Sequence, residues 1–201
     1  MNEQEVLEKI KNFVLQKIPP DDIHGFGHTK RVYQICIEIG QKLGADLFIL
    51  KTAALLHDIG RFSDQHKLKN RNHAEISAEI ASIILKTKDF QFNEKQFENI
   101  IHCIQSHSFS NRVSPKTLEA HILSDADKLD ALGAIGLYRT IGYTTRMNGN
   151  LQDVIEHLES KILKLKSKLF LDISKEYAQE RCVILDQFYE EVKKELKLER
   201  S

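Results

Sequence analysis

The sequence predicts an all-α fold, a helical bundle with a C-terminal helical extension, and three observations predict it. Apolar residues recur at the three- and four-residue spacing of amphipathic helices along almost the whole chain. No segment alternates convincingly between apolar and polar residues, which is the pattern of a half-buried strand. Only 9 glycines and 3 prolines interrupt the 201 residues, which favours long helices with short connections.

Each apolar stripe predicts one helix, in order along the chain. The first ends at Pro19 and Pro20, because proline lacks the amide hydrogen that a helix interior needs. Gly44 closes the second and Gly60 follows the third, as glycine does at helix C-termini. Pro115 is placed to open a later helix, since its fixed φ suits the first turn. The stripes begin at Val6, Val32, Leu47, Ile76, Phe97, Ile122, Val154 and Tyr177. We predict seven to nine helices.

The chain is predicted to form a single domain over residues 1–201. Segment 142–150 is rich in glycine and polar residues, which predicts a loop, and it is a candidate lid over a site. This loop separates a core of about 20–140 from a helical extension of about 150–200. The extension is expected to cover the core, because two or three helices alone are only marginally stable.

Composition and charge exclude several classes of protein. Lys and Arg number 29, and so do Asp and Glu. This balance argues against a nucleic-acid partner held by bulk charge. No apolar run of membrane-spanning length exists, and the N-terminus is polar and acidic, so we expect neither a membrane partner nor a secretory signal. Cys36, Cys103 and Cys182 stand alone among apolar residues, which is typical of reduced thiols, and we predict a cytoplasmic protein.

His57 and Asp58 end an otherwise apolar helical run. An ionised carboxylate buried beside an imidazole is costly unless it is paired or coordinated. A divalent cation removes that cost. A buried hydrogen bond between His57 and Asp58, or an exposed helix end, removes it equally well, so the dyad alone leaves three alternatives open.

Further ligand-type residues lie far along the chain. His28 lies at the start of an amphipathic helix, and Asp127 lies in an apolar segment with Asp125 and Asp130. Two imidazoles and two carboxylates on separate helices make a mixed nitrogen and oxygen set. Such a set suits Mn²⁺, Mg²⁺, Fe²⁺, Co²⁺ or Ni²⁺ with positions left open for water. A structural zinc site more often uses cysteine, and the cysteines are not spaced as ligands.

The order His28, His57-Asp58, Asp127 resembles the HD superfamily of metal-dependent phosphohydrolases, all-helical domains with the signature H…HD…D. Over about residues 20–195, further segments resemble its YedJ/YpgQ-like branch of small bacterial proteins. Those segments are residues 53–59, 72–78, 107–109, 125–136 and 187–189.

This resemblance implies that His28, His57, Asp58 and Asp127 are ligands of a divalent metal ion. It favours Asp127 over the other two carboxylates of that segment. One ion per chain is expected.

The resemblance also implies hydrolysis of nucleoside triphosphates to monophosphate and pyrophosphate, with a small-molecule nucleotide as substrate. Other activities of the same superfamily, a nucleotidase or a cyclic-nucleotide phosphodiesterase, stay open. So does a non-catalytic regulator that binds nucleotide or metal. The helical surface also leaves a homodimer open.

Arg61 and Phe62 depart from a pattern found in some HD hydrolases, which carry acidic residues at these positions to orient the attacking water. The acid-assisted reaction of guanosine-tetraphosphate hydrolases is therefore not expected. Arg61 is a candidate to neutralise phosphate oxygens. The alternative is a surface arginine stabilised by the dipole of a helix C-terminus.

The remaining candidates are histidines and cations near the signature. The predicted catalytic residues are Asp58, His107, Arg61 and Lys128. The predicted substrate-binding residues are His24, Lys30, Arg31, Arg61 and Lys128. Should His73 and His107 both face the dyad, the site would have ligands for a second metal ion.

Overall fold

A computed structural model describes residues 1–63, 71–87, 90 and 92–198 of the chain. Helices are the regular secondary structure of these residues, and no strand occurs among them, so the predicted all-α class is confirmed. The nine α-helices of the described residues are α1 (Glu3–Lys17), α2 (Phe26–Leu43), α3 (Leu47–Leu56), α4 (His73–Leu85), α5 (Glu94–Ser106), α6 (Leu118–Asp130), α7 (Gly133–Arg146), α8 (Leu151–Ser160) and α9 (Asp172–Leu198). Short 3₁₀ helices span Ile59–Phe62, Phe109–Asn111 and Ile162–Lys168.

The chain divides into two compact units, Met1–Asp127 and Lys128–Ser201. The first holds α1 to α5 and most of α6, and the second holds α7 to α9. The single domain expected over the full chain stays a prediction. None of the described helices is both long enough and apolar enough to serve as a membrane span.

Helix α3 is the central helix of the first unit and contacts α1, α2 and α5. Asp46 caps its N-terminus by accepting hydrogen bonds from the amides of Phe48 and Ile49, at 2.9 and 3.1 Å. Ala53 and Ala54 are fully buried, so neighbouring helices approach closely. Helix α3 is apolar and therefore runs through the core, so the two residues that follow it, His57 and Asp58, are buried as well.

Gly60 does not act as the helix C-cap that its position in the sequence predicts. Helix α3 already ends at Leu56, and Gly60 lies in the 3₁₀ helix Ile59–Phe62. A Cβ at Gly60 would lie 2.6 Å from the amide nitrogen of Ser77 and 2.7 Å from the carbonyl oxygen of His73. Glycine is therefore required because it lets this 3₁₀ helix approach α4.

The predicted loop over 142–150 is wrong for its first five residues, which belong to α7. Only residues 147–150 connect α7 to α8. Asn150 caps α8 by accepting from the amides of Gln152 and Asp153, and the Asp153 carboxylate accepts from the Asn150 amide in return. Part of the polar composition that predicted a long loop is therefore helix-capping chemistry. A lid over 142–150 is not supported by a segment that is mostly helix.

Candidate metal centre

Two histidines that follow helix ends are fixed in one tautomer by backbone carbonyls. Nδ1 of His57, just after α3, lies 2.7 Å from the carbonyl oxygen of Ala54. Nδ1 of His107, just after α5, lies 2.6 Å from that of Ile104. A carbonyl oxygen only accepts, so Nδ1 carries the hydrogen in both rings and Nε2 presents a lone pair. Both Nε2 atoms face the same buried carboxylate, that of Asp58.

The Asp58 carboxylate lies between two pairs of imidazoles. Its Oδ2 is 3.6 Å from Nε2 of His28 and 3.7 Å from Nε2 of His57. Its Oδ1 is 3.4 Å from Nε2 of His73 and 3.5 Å from Nε2 of His107. Within the two pairs, the facing ring nitrogens are 3.2 and 3.3 Å apart. All five side chains are buried, and together they are called the His–Asp cluster below.

Asp127 reaches the cluster from α6, with Oδ1 at 3.3 Å from Nε2 of His28. Its side chain is 23% exposed, so this edge of the cluster is open to solvent. Asp130, one turn further, instead forms a buried ion pair with Arg139 at 2.8 Å. The first unit therefore brings His28, His57, Asp58 and Asp127 together, as the H…HD…D pattern implies.

The cluster fits a divalent cation by its donor chemistry. The ligand atoms of His28, His57 and Asp58 all lie within 4.8 Å of one another, and so do those of Asp58, His73 and His107. Oδ1 of Asp58 is buried and has no hydrogen-bond partner in the described part of the chain. Buried acceptors that converge without a donor are destabilising unless a cation lies among them. Imidazole nitrogen and carboxylate oxygen are suitable ligands for a divalent transition metal.

The protonation states that metal ligands need are already favoured in the folded protein. Burial lowers the pKa of His57 to about 4 and that of His73 to about 3, although the Asp58 charge opposes both shifts. Burial alone would raise the pKa of Asp58. The charge of Arg61, whose Nε donates to Oδ2 of Asp58, opposes this effect most strongly, and the pKa of Asp58 lies well below its usual range. Neutral imidazoles therefore surround an ionised carboxylate near neutral pH.

Arg61 lies at this centre and not on the outer surface. Its Nε donates to Oδ2 of Asp58 at 2.5 Å, and its Nη2 donates to Nε2 of His73 at 2.9 Å. The side chain is 27% exposed, so one edge of the guanidinium faces solvent. The close approach of the 3₁₀ helix at Gly60 to α4 is what brings Arg61 beside His73.

The other predicted phosphate-binding residues lie in several places. The backbone amide of His24 donates to Oδ1 of Asp21 in the loop before α2. Nη2 of Arg31 donates to the carbonyl oxygen of Asp22 at 2.6 Å. Lys30 lines a cavity of about 870 Å³ formed by α1, α2 and α3, and no member of the His–Asp cluster lines it. Their roles in substrate binding stay predictions.

Lys128 belongs to the second unit, where it is buried with its Nζ 5.1 Å from the centre of the Phe170 ring. Its catalytic role stays a prediction.

His73 is the cluster residue whose position the sequence predicted least clearly. Asn72 caps α4 by accepting from the amide of Ala74, and His73 is therefore the first residue of that helix. In the sequence, the segment beginning at Asn72 was the sign that a helix starts there. The direction of the His73 side chain towards Asp58 depends on the packing of this helix against Gly60.

Comparison with known proteins agrees with this geometry. The HD domain family profile matches residues 25–132, which is more than half of the chain. The uncharacterised protein YpgQ of Bacillus subtilis is 31% identical over 206 residues, covering 98% of this chain and 96% of YpgQ. Ribonuclease Y of Thermoanaerobacter pseudethanolicus is 34% identical over 104 residues, which are 52% of this chain but 18% of that enzyme.

Solved structures give the same relationship. The crystal structure of B. subtilis YpgQ in complex with ADP superposes with a TM-score of 0.76 at 28% identity, covering 97% of each chain. An HD-superfamily hydrolase from Bacillus thuringiensis superposes with a TM-score of 0.71 at 28% identity, covering 98% of this chain and 99% of that one. Fold, cluster and sequence agree: the chain belongs to the HD-domain family and has the fold of the HD-superfamily hydrolases.

Proposed function

We propose that this protein is a metal-dependent phosphohydrolase that converts nucleoside triphosphates to monophosphate and pyrophosphate. The observation that carries the proposal is the buried His28–His57–Asp58 triad, with Asp127 beside it at the solvent-exposed edge. A phosphate group is able to approach from that edge, whereas the protein core surrounds the other side of the triad.

In this proposal His28, His57, Asp58 and Asp127 hold one divalent ion. Mn²⁺, Mg²⁺, Fe²⁺, Co²⁺ and Ni²⁺ all suit two imidazoles and two carboxylates. When bound, such an ion lowers the pKa of a coordinated water and offsets negative charge on the phosphoryl oxygens. The carbonyl of Ala54 holds the His57 ring in the ligating tautomer at 2.7 Å.

Arg61 is proposed to bind a phosphoryl oxygen. Its Nε and Nη2 are occupied by Asp58 and His73, and Nη1 has no hydrogen-bond partner in the part of the chain that the structure describes. The side chain is partly exposed, so Nη1 is available to a ligand at the open edge. A guanidinium fixed at two of its nitrogens loses little conformational entropy when the third binds phosphate.

His107 is proposed as the proton acceptor, with Asp58 as the alternative. The Ile104 carbonyl keeps the hydrogen of His107 on Nδ1, so the proton is taken at Nε2. In the step itself, the oxygen of water bonds to the α-phosphorus and the bond from that phosphorus to the bridging oxygen breaks. Pyrophosphate leaves with the electron pair of that bond, and the water proton passes to His107 Nε2.

The choice of a nucleotide is supported by the structure of the relative YpgQ, which is a complex with ADP. The relative is similar to this chain over nearly its full length, so the comparison extends beyond the HD core.

The proposal is tested by supplying purified metal-free protein with each candidate ion and screening ribo- and deoxyribonucleotides, a cyclic nucleotide and a short RNA. We expect turnover of triphosphates with pyrophosphate as product, measured by phosphorus NMR or ion chromatography, and no cleavage of the RNA. Release of orthophosphate would favour a nucleotidase, and opening of the cyclic nucleotide would favour a phosphodiesterase. Nucleotide binding without turnover under every metal would favour a regulator.

Two variants test the metal centre itself. His57→Ala and Asp127→Ala each remove one proposed ligand, and both should lose turnover and bind the metal ion more weakly. Lys42→Ala is a matched control, because Lys42 lies on the same helix as His28 but is exposed and pairs with Glu38 on the surface. Full turnover in both ligand variants would contradict the proposed centre.

A further inference from the structure

The second half of the His–Asp cluster contains acceptors that face one another without a hydrogen between them. Oδ1 of Asp58 is buried, and no donor in the described residues binds it. Nε2 of His107 presents a lone pair, because its Nδ1 hydrogen points to the Ile104 carbonyl. Nε2 of His73 also presents a lone pair, because it accepts from Arg61 and arginine has no acceptor atom. The three atoms lie 3.3 to 3.5 Å apart.

These three atoms form what we call the second cation site: Asp58 Oδ1, His73 Nε2 and His107 Nε2. Its composition matches the first triad, with two imidazole nitrogens and one carboxylate oxygen. Asp58 belongs to both triads and offers a different oxygen to each. By ligand type and spacing alone, the described residues would hold two metal ions, one at each triad.

Arg61 is the cation that the structure places against this site. Its Nη2 donates to Nε2 of His73 at 2.9 Å, and its Nε donates to the other oxygen of the shared carboxylate, Oδ2 of Asp58, at 2.5 Å. The backbone around it is held by the approach of Gly60 to α4, where the Gly60 amide donates to Oγ of Ser77 at 2.9 Å. The guanidinium is thus fixed at two nitrogens, and its charge cannot be removed at accessible pH.

We infer that Arg61 takes the place of a second metal ion, so that this chain binds one metal ion where its ligands suffice for two. The inference rests on the proposed function in that the first ion occupies the triad of His28, His57 and Asp58. A second divalent ion would have to displace Arg61 from His73 and would lie close to its positive charge. Both effects weaken binding of that ion, and we expect about 100-fold lower affinity with Arg61 than without it.

The test counts metal ions in a substituted protein. Arg61→Met keeps an unbranched side chain but removes the charge and both hydrogen bonds. Metal-free wild type and Arg61→Met are titrated with Mn²⁺ by calorimetry, and the bound ion is counted by elemental analysis. We expect one ion per chain in the wild type and two in Arg61→Met. Electron paramagnetic resonance should then show an exchange-coupled Mn²⁺ pair, because Asp58 would bridge the two ions.

Three further variants make the count specific. Adding His73→Ala to Arg61→Met removes a ligand of the second site and should return the count to one. Arg71→Met removes an arginine of the same unit whose guanidinium pairs with the exposed carboxylates of Glu75 and Glu79, and it should bind one ion like the wild type. Arg61→Gln is a second neutral substitution, expected to bind two ions, in case Arg61→Met does not fold. Circular dichroism checks the fold of each protein.

The outcomes separate this inference from the proposed function. One ion in both the wild type and the neutral Arg61 variants overturns the inference and leaves the proposed metal centre intact. Two ions in the wild type also overturn it. No metal binding in any of the proteins overturns the metal centre and this inference together.

Discussion

Gly60→Ala tests whether the approach of the 3₁₀ helix to α4 builds the centre. The added methyl would lie 2.6 Å from the Ser77 amide nitrogen and 2.7 Å from the His73 carbonyl oxygen, both of which are backbone atoms. Carbon atoms in ordinary contact need nearly 1 Å more, so the two segments must separate. Overpacking at a buried position costs about 1–3 kcal/mol, and the hydrogen bond from Gly60 to Ser77 is strained as well. We expect a loss of about 3 kcal/mol, which is an approximately 100-fold change in the unfolding equilibrium.

The same substitution should weaken Mn²⁺ binding at the first triad, because the backbone shift at Gly60 moves Asp58, two residues earlier, relative to His28 and His57. The assays are urea denaturation for the free energy of unfolding and Mn²⁺ titration for metal affinity. Gly44→Ala is the control: Gly44 has φ 70°, and a methyl group there would meet no atom within 4 Å, so alanine adds backbone strain of about 1 kcal/mol and no clash. Gly44→Ala should lose stability but keep wild-type metal affinity. Wild-type stability and metal affinity in Gly60→Ala would refute the reasoning.

Three other predictions follow from the described contacts. The pKa of His57 is about 4 in the folded protein against 6.5 in the unfolded chain, and that of His73 is also lowered. The unfolded state therefore binds more protons as the pH falls from 6.5 towards 4, and urea denaturation of metal-free protein should show a loss of up to about 3 kcal/mol from His57 in that interval. Equal stability at pH 7 and pH 4.5 would contradict this. Asp130→Ala removes the carboxylate that pairs with the buried Arg139 at 2.8 Å and should cost about 3 kcal/mol, whereas the double variant with Arg139→Leu should recover part of this loss. Additive losses would argue against coupling of the two residues. His107→Ala should lower kcat about 100-fold or more while one Mn²⁺ still binds, and undiminished kcat would eliminate His107 as the proton acceptor.

The helical class follows from local information in the sequence. An amphipathic helix needs only apolar residues at its own three- and four-residue spacing, so each stripe predicts a helix without reference to the rest of the chain. The count of nine described helices lies within the predicted range of seven to nine. Helix ends were predicted less accurately, because a glycine is typical both of a helix C-cap and of a close approach between segments. Gly60 allows a close approach and is not a C-cap. The first part of segment 142–150 was misjudged because Gly142, Thr144 and Thr145 have low helix propensity, yet they form the last turns of α7.

The types of ligand were also readable from the sequence, since imidazoles and carboxylates embedded in apolar helices need a partner or a cation. Their order along the chain identified the family that the comparisons then confirmed. A cytoplasmic location and a homodimer stay predictions.

Tertiary structure decided how the ligands meet. The two oxygens of Asp58 face different imidazole pairs, although His28 and His107 lie far from it in opposite directions along the chain. No spacing rule connects those positions, because the packing of α2, α4 and α5 around the end of α3 sets the distances. The place of Arg61 was likewise undetermined between surface and centre. An arginine that follows a buried turn can extend to solvent or to a buried carboxylate, and the sequence does not distinguish the two. The close contact of Gly60 with α4 places Arg61 beside Asp58 and His73.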